Sequence, residues 1–167
     1  MQRLYENHKI LTYPRTDSRY ISSDIVATIP ERLRAISTGE YRLAASEILK
    51  NRINSNKSFV DNSKVSDHHA IIPTEQKPNL SNLSSEERHI YDLVVKRFLS
   101  ILMPPFEFIQ TNIKADINGE IFVAKGKVIK SKGWKALYDK DYSEEDSKDE
   151  ELKDQVLPKI NQGDIIN

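Results

Sequence analysis

The chain has 167 residues, of which 38% are apolar and 30% charged, and its 25 basic residues balance 25 acidic ones. No stretch approaches the roughly 18 apolar residues of a membrane span, and Met1–Glu6 lacks the apolar run of a secretory signal. The absence of cysteine removes disulfides, thiolate metal sites and a cysteine nucleophile, so the expectation is a cytoplasmic protein that does not enter a membrane.

In chain order, Leu4 to His8 reads as the end of a helix, and Lys9 to Ser18 as an extended segment with turn chemistry at Pro14 and Asp17-Ser18. Ser22-Ser23-Asp24 caps a short helix through Ile25 and Val26. Pro30 opens a second helix to Ser37, with Leu33 and Ile36 facing a core. Glu40 to Arg52 is a third, with Tyr41, Ala44, Ala45, Ile48 and Leu49 at helical spacing. Asn51 to Ser66 is polar loop, with a short strand expected at Phe59-Val60. The clearest helix follows: Ser84 and Glu87 form a capping box, and Ile90, Tyr91, Val94, Val95, Phe98, Leu99 and Leu102 make one apolar face.

After Met103-Pro104-Pro105 the period changes to two. Ile109, Thr111, Ile113, Ala115 and Ile117 share one side of a strand, Asn118-Gly119 is a hairpin turn, and Glu120 to Ile129 returns. A third strand is expected at Trp134–Tyr138 and the start of a fourth at Ile165-Ile166. The fold class expected is α+β: a mostly helical domain over 1–104, then an antiparallel β part over 105–167 with an acidic linker at about 139–155. That linker holds nine of the 25 acidic residues between Asp139 and Asp154, and outside it 22 basic residues face 16 acidic ones. The remainder is mildly basic, which allows a nucleic-acid partner without demanding one.

Thr12-Tyr13-Pro14-Arg15-Thr16-Asp17-Ser18-Arg19-Tyr20 sets a tyrosine two residues before an arginine on chain stiffened by Pro14. A phenol with a free pKa near ~10 needs help to act as a nucleophile at neutral pH. A nearby cation supplies it by favouring the phenolate and by neutralising charge on a phosphate. Arginine suits the task because its planar fork holds a phosphate through two hydrogen bonds. The plainer alternative is a turn carrying a surface tyrosine and an ordinary Asp–Arg pair, and local chemistry alone leans that way.

Asp67-His68-His69-Ala70-Ile71-Ile72-Pro73-Thr74 is the second candidate. Adjacent histidines diverge on helix or strand, so they make a poor metal pair; one can bind phosphate or move a proton while the other packs, or both can serve the loop. Asp139-Lys140-Asp141 has the spacing of a magnesium pair but lies in the acidic linker, without a buried strand to fix it, so no metal site is expected in this chain. Lys9, Arg15, Arg19, Arg34, Lys64, Lys96 and Arg97 are candidate phosphate contacts if they share a surface.

Together and in this order, the two segments resemble the type IA DNA topoisomerases. Ile10 to Ile21 is similar to the family's active-site signature, and Pro14 with Arg19-Tyr20 favours the topoisomerase III branch. His68 to Thr74 resembles the downstream histidine motif, and the likeness continues through Glu86–Pro105 and through Gly126 to Tyr138, with Gly133-Trp134-Lys135. The resemblance implies that Tyr13 attacks a backbone phosphate and becomes linked to a 5′ end. By the same resemblance Arg15 stabilises charge on that phosphate and His68 contacts it. Thr16, Asp17 and Ser18 are then supporting contacts and His69 a further one, while Lys9, Arg19 and Lys64 stay candidate DNA contacts by their charge. The partner implied is DNA, preferentially single-stranded, and the fold implied is the helical tyrosine domain followed by part of a β-rich arch.

The family's magnesium-binding domain precedes its tyrosine, and only 12 residues do so here. The expectation is therefore a fragment inactive alone. It would need an N-terminal magnesium domain of the same polypeptide, with Mg2+ belonging to the full-length enzyme. Two other readings compete: a non-catalytic nucleic-acid-binding module, and a protein-binding domain that pairs through its strand edge.

Overall fold

A computed structural model describes residues 1–53, 55–138, 157, 158 and 163. The chain divides into two compact units, Met1–Pro104 and Pro105–Asn167.

The first unit carries helices α1 (Gln2–Glu6), α2 (Ser23–Val26), α3 (Ile29–Ile36), α4 (Arg42–Lys50) and α5 (Ser85–Leu102). Pro30 sits in the first turn of α3, where its missing N–H costs nothing, and Ile29, Leu33 and Ile36 are buried along one face. The third predicted helix is shorter than its spacing suggested: Gly39–Tyr41 forms a 3-10 turn and the α-helix runs only from Arg42 to Lys50. Gly39 has φ +53, a left-handed conformation that redirects the chain between α3 and α4. Leu4, Leu11, Ile29, Leu33, Ile36, Val95 and Leu99 are the centre of the core.

Helix α5 begins at a complete capping box. The Ser84 hydroxyl accepts from the Glu87 amide at 3.2 Å, and the Glu87 carboxylate accepts from the Ser84 amide at 2.9 Å. Glu87 is buried and also meets Arg3 at 3.2 Å and His8 at 3.5 Å, so the first turn of α5 anchors the segment that leads into Tyr13. Tyr91, Val95, Phe98 and Leu99 are buried, each contributing about 2 kcal/mol of apolar transfer energy. Lys96 turns inward with them and pairs with Asp92 at 2.9 Å. That removes it from the set of surface phosphate contacts.

The second unit contains one antiparallel pair, β1 (Glu107–Ile117) and β2 (Glu120–Ser131), in the register Ile117↔Glu120. Asn118 and Gly119 both have positive φ, at 54° and 86°. This is the two-residue primed turn that matches the twist of a hairpin. Ile109, Ile113 and Ala115 lie on one face with their partners Val128, Ala124 and Phe122. Trp134–Tyr138 is not a third strand: Gly133–Tyr138 is a 3-10 helix. Gly133 at φ +46 turns the chain off the strand direction, and Lys135 N–H bonds back to Lys132 C=O at 3.0 Å. The acidic stretch expected as a linker and the strand expected at Ile165-Ile166 lie outside the described residues.

Candidate active site

Two extended segments far apart in sequence build the site by lying side by side. Leu11 pairs with Pro73 in an isolated antiparallel bridge. Around it, Thr12 N–H donates to Ile72 C=O and Thr74 N–H to Ile10 C=O. The Thr12 hydroxyl extends the match by accepting from Ile72 N–H at 2.9 Å and donating to Ala70 C=O at 3.3 Å.

Residues 13–19 then leave the pairing as a loop that closes on the same residue. Ala70 N–H donates to Tyr20 C=O at 2.8 Å, while Ala70 C=O receives the Thr12 hydroxyl. Ile21 resumes ordered pairing, forming a parallel bridge to Val60. The short strand expected at Phe59-Val60 amounts to this single bridge. Between its two anchored ends, the loop is tied by polar side chains. Thr16 donates to His68 C=O at 2.9 Å and accepts from Ser18 N–H at 3.1 Å, and Ser18 donates to Lys64 C=O at 2.7 Å. Thr16 and Ser18 therefore tie the loop to the backbone of His68 and Lys64, and Thr16 also braces the loop's own backbone at Ser18.

This loop brings Tyr13 against His68, with ring centroids 4.2 Å apart and planes tilted by 40°. Tyr5 meets Tyr13 edge-on at 5.4 Å and 84°. Arg15, Thr16, Asp17 and His68 line an open cleft of about 550 Å³ together with Ser66 and Asp67. Tyr13 and Lys9 line a second cleft of about 710 Å³, with Tyr5, Thr12, Thr74 and Glu75 among its walls. The stacked rings of Tyr13 and His68 thus join the two clefts. Lys9 has φ +56, unusual for a residue with a side chain, and is held there by the Thr74 hydroxyl on its carbonyl at 2.6 Å.

The remaining candidates spread outward from this centre. Lys64 lies over the Tyr20 ring at 4.5 Å, with its ammonium 3.3 Å from the Tyr20 hydroxyl and 3.4 Å from Asp61. The Arg19 guanidinium lies 5.7 Å from the centre of the same ring. The hydrogen bond from Lys64, helped by Arg19, lowers the Tyr20 phenol below its ordinary value. His69 turns its Nδ1 to Ala70 C=O at 2.7 Å, a local bond beside the loop's closure. Among the described residues, no group of three or more His, Asp or Glu side chains could hold a metal ion.

Three residues matter here that the sequence reading passed over. Arg32 is buried and fully engaged: Nε donates to the Thr28 hydroxyl at 2.8 Å, one terminal nitrogen to Pro73 C=O at 2.7 Å, and the other pairs with Glu75 at 2.7 Å. It fastens α3 to the chain just after the histidines. The signal was present, because position 32 falls on the same helical face as Ile29 and Ile36. A charge on an apolar face has to find a partner. Glu75 is that partner. Tyr5 carried no comparable signal, since its importance lies in its contact with Tyr13.

The whole chain, residues 1–167, matches the family model described as DNA topoisomerase. It is 57% identical over 166 residues to DNA topoisomerase 3 of Bacillus cereus (strain ZK / E33L), a match covering 99% of this chain and 23% of that protein. DNA topoisomerase 3 of Bacillus licheniformis is 54% identical over 167 residues, and that of Bacillus subtilis (strain 168) 52% over 166. The chain spans 23% of the length of each of these relatives. The chain therefore belongs to the type IA DNA topoisomerases, on their topoisomerase III branch.

Proposed function

We propose that this chain is the nucleophile-bearing part of a longer enzyme that cuts one DNA strand through a 5′-phosphotyrosine link at Tyr13. The enzyme would then pass a strand and reseal the break, relaxing or decatenating DNA. The observation that carries the reading is the loop on Ala70, which holds Tyr13 against His68 and sets Arg15 and His68 on one cleft. In the reaction, the Tyr13 oxygen forms a bond to phosphorus, the bond from phosphorus to the 3′ oxygen breaks, and the phenolic proton passes through solvent to that oxygen, which leaves as a 3′-hydroxyl. Arg15 neutralises charge on the phosphoryl oxygens, and His68 contacts the same phosphate. The new bond preserves the phosphodiester's energy, so religation needs no ATP. Lys9, Arg19 and Lys64 are proposed contacts to the flanking strand, with Asp17 and His69 as polar support. DNA, preferentially single-stranded, is the proposed substrate.

Among the described residues, no cluster of three or more His, Asp or Glu side chains offers a magnesium site. We assign magnesium, expected of the full-length enzyme, to a domain of the same polypeptide outside this chain. The chain alone is then expected to be inactive, a reading supported by its covering 23% of its relatives.

The test is Tyr13→Phe in the full-length protein. Incubation with single-stranded DNA and a denaturing quench should trap a covalent adduct with wild type and none with the variant, while DNA binding persists. An adduct formed by the variant overturns the assignment. The absence of an adduct even with wild type favours a non-catalytic nucleic-acid-binding module.

A further inference from the structure

Of the residues lining the larger cleft beside Tyr13, only Tyr13 and Lys9 have a task in the proposed reaction. The cleft's volume, about 710 Å³, lies within the range of small-ligand sites. One wall is aromatic, with Tyr5 set edge-on to Tyr13 and 37% exposed. Lys9 stands at its edge, exposed and without an ion pair among the described residues. Several other polar groups of the lining already bond within the protein. The Thr12 hydroxyl serves Ile72 and Ala70, the Thr74 hydroxyl serves Lys9 and Gln76, and Glu75 holds Arg32. Glu6 receives the Gln2 amide.

A ring face and a cation suit a nucleotide: stacking takes the base and the ammonium takes a phosphate. Stacking on a ring face reads no base edge, the means by which proteins tell bases apart, and so accepts every base. We infer that this cleft is a sequence-tolerant subsite for a nucleotide adjoining the cleaved phosphate, with its base against Tyr5 and a phosphate on Lys9. The inference rests on the proposed cleavage at Tyr13 and specifies which side of the tyrosine the strand follows. The positive φ of Lys9, with its carbonyl held by Thr74, sets the backbone from which this side chain leaves at the edge of the cleft.

The experiment uses the full-length protein and a fluorescent single-stranded oligodeoxynucleotide with one abasic position, moved stepwise along the cleavage site. Tyr5→Ala should weaken binding of the intact strand about 10-fold. It should weaken binding no further when the abasic position is the one that occupies the cleft. Tyr5→Phe, which keeps a ring face, should recover most of the affinity that Tyr5→Ala loses. Changing the base at that position among all four should alter the dissociation constant less than about 3-fold, because stacking tolerates every base. Lys9→Gln should reduce the salt dependence of binding by about one counterion.

An equal loss for Tyr5→Ala at every abasic position overturns the subsite, as does no loss at all. A fall in thermal midpoint with unchanged DNA affinity also overturns it, and would assign the cleft to packing against another part of the polypeptide. The adduct assay at Tyr13 separates the two claims: adducts with no Tyr5 effect remove the subsite alone, whereas no adduct under any condition removes the cleavage reading.

Discussion

His68 and Tyr13 share a ring contact at 4.2 Å although the chain between them contains three helices and a long polar loop. The contact places an imidazole against the face of the proposed nucleophile while leaving His68 on the cleft that holds Arg15. His68→Ala in the full-length enzyme should slow single-turnover cleavage of an oligonucleotide about 100-fold. His68→Phe, which keeps the ring but not its nitrogens, should be nearly as slow. Recovery by the phenylalanine variant would reduce His68 to a packing role.

Arg32 should matter for stability more than its position on a helix suggests. Replacing it with Met leaves Pro73 C=O and the Thr28 hydroxyl without their donor and Glu75 without its cation. A loss of about 2 kcal/mol is expected. Glu75 is 40% exposed in its side chain, so Glu75→Gln should cost clearly less. Urea unfolding of both variants measures the difference, and equal losses would contradict the burial argument.

Acid should loosen the first turn of α5. The backbone hydrogen bond from Ser84 chiefly, then the charges of Arg3 and His8, hold the Glu87 carboxyl below its ordinary value of 4.5. The folded state therefore binds this proton less readily than the unfolded chain. Its contribution to stability is complete above the unfolded value and disappears as pH falls through the lowered folded one. Glu87→Gln should flatten the stability profile below about pH 4.5 relative to wild type. A parallel profile would show that the carboxylate is not the group responsible.

Tyr20 offers a spectroscopic check. Its phenol should ionise below the ordinary tyrosine value of 10.0 because Lys64 and Arg19 favour the phenolate. Carbon-13 labelling of the tyrosines would follow that titration. Lys64→Met should move it upward, and an unmoved midpoint would show that Lys64 does not govern the ring.

The parts of this structure legible in the sequence are those written in local rules. The Ser84–Glu87 box fixed the start of α5, and Asn118-Gly119 marked the hairpin. Trp134–Tyr138 misled because its aromatic composition suits a strand, whereas the left-handed Gly133 just before it decides the conformation. Tyr13, Arg15 and His68 could be named from their motifs, but their assembly into a site could not be read from either segment. The loop closing on Ala70 and the Arg32 fastening are contacts between distant positions. Lys96 failed as a surface cation for the same reason: its burial depends on how α5 packs.

The pairing of Thr12 with Ile72 spans 60 positions, and that of Thr16 with His68 spans 52. Closing such long loops demands entropy that only the finished core can offset, so these contacts are expected late in folding. A nascent or partly unfolded chain would carry Tyr13 without His68 beside it. The separation in sequence thereby ties the contact between Tyr13 and His68 to completion of the fold around them.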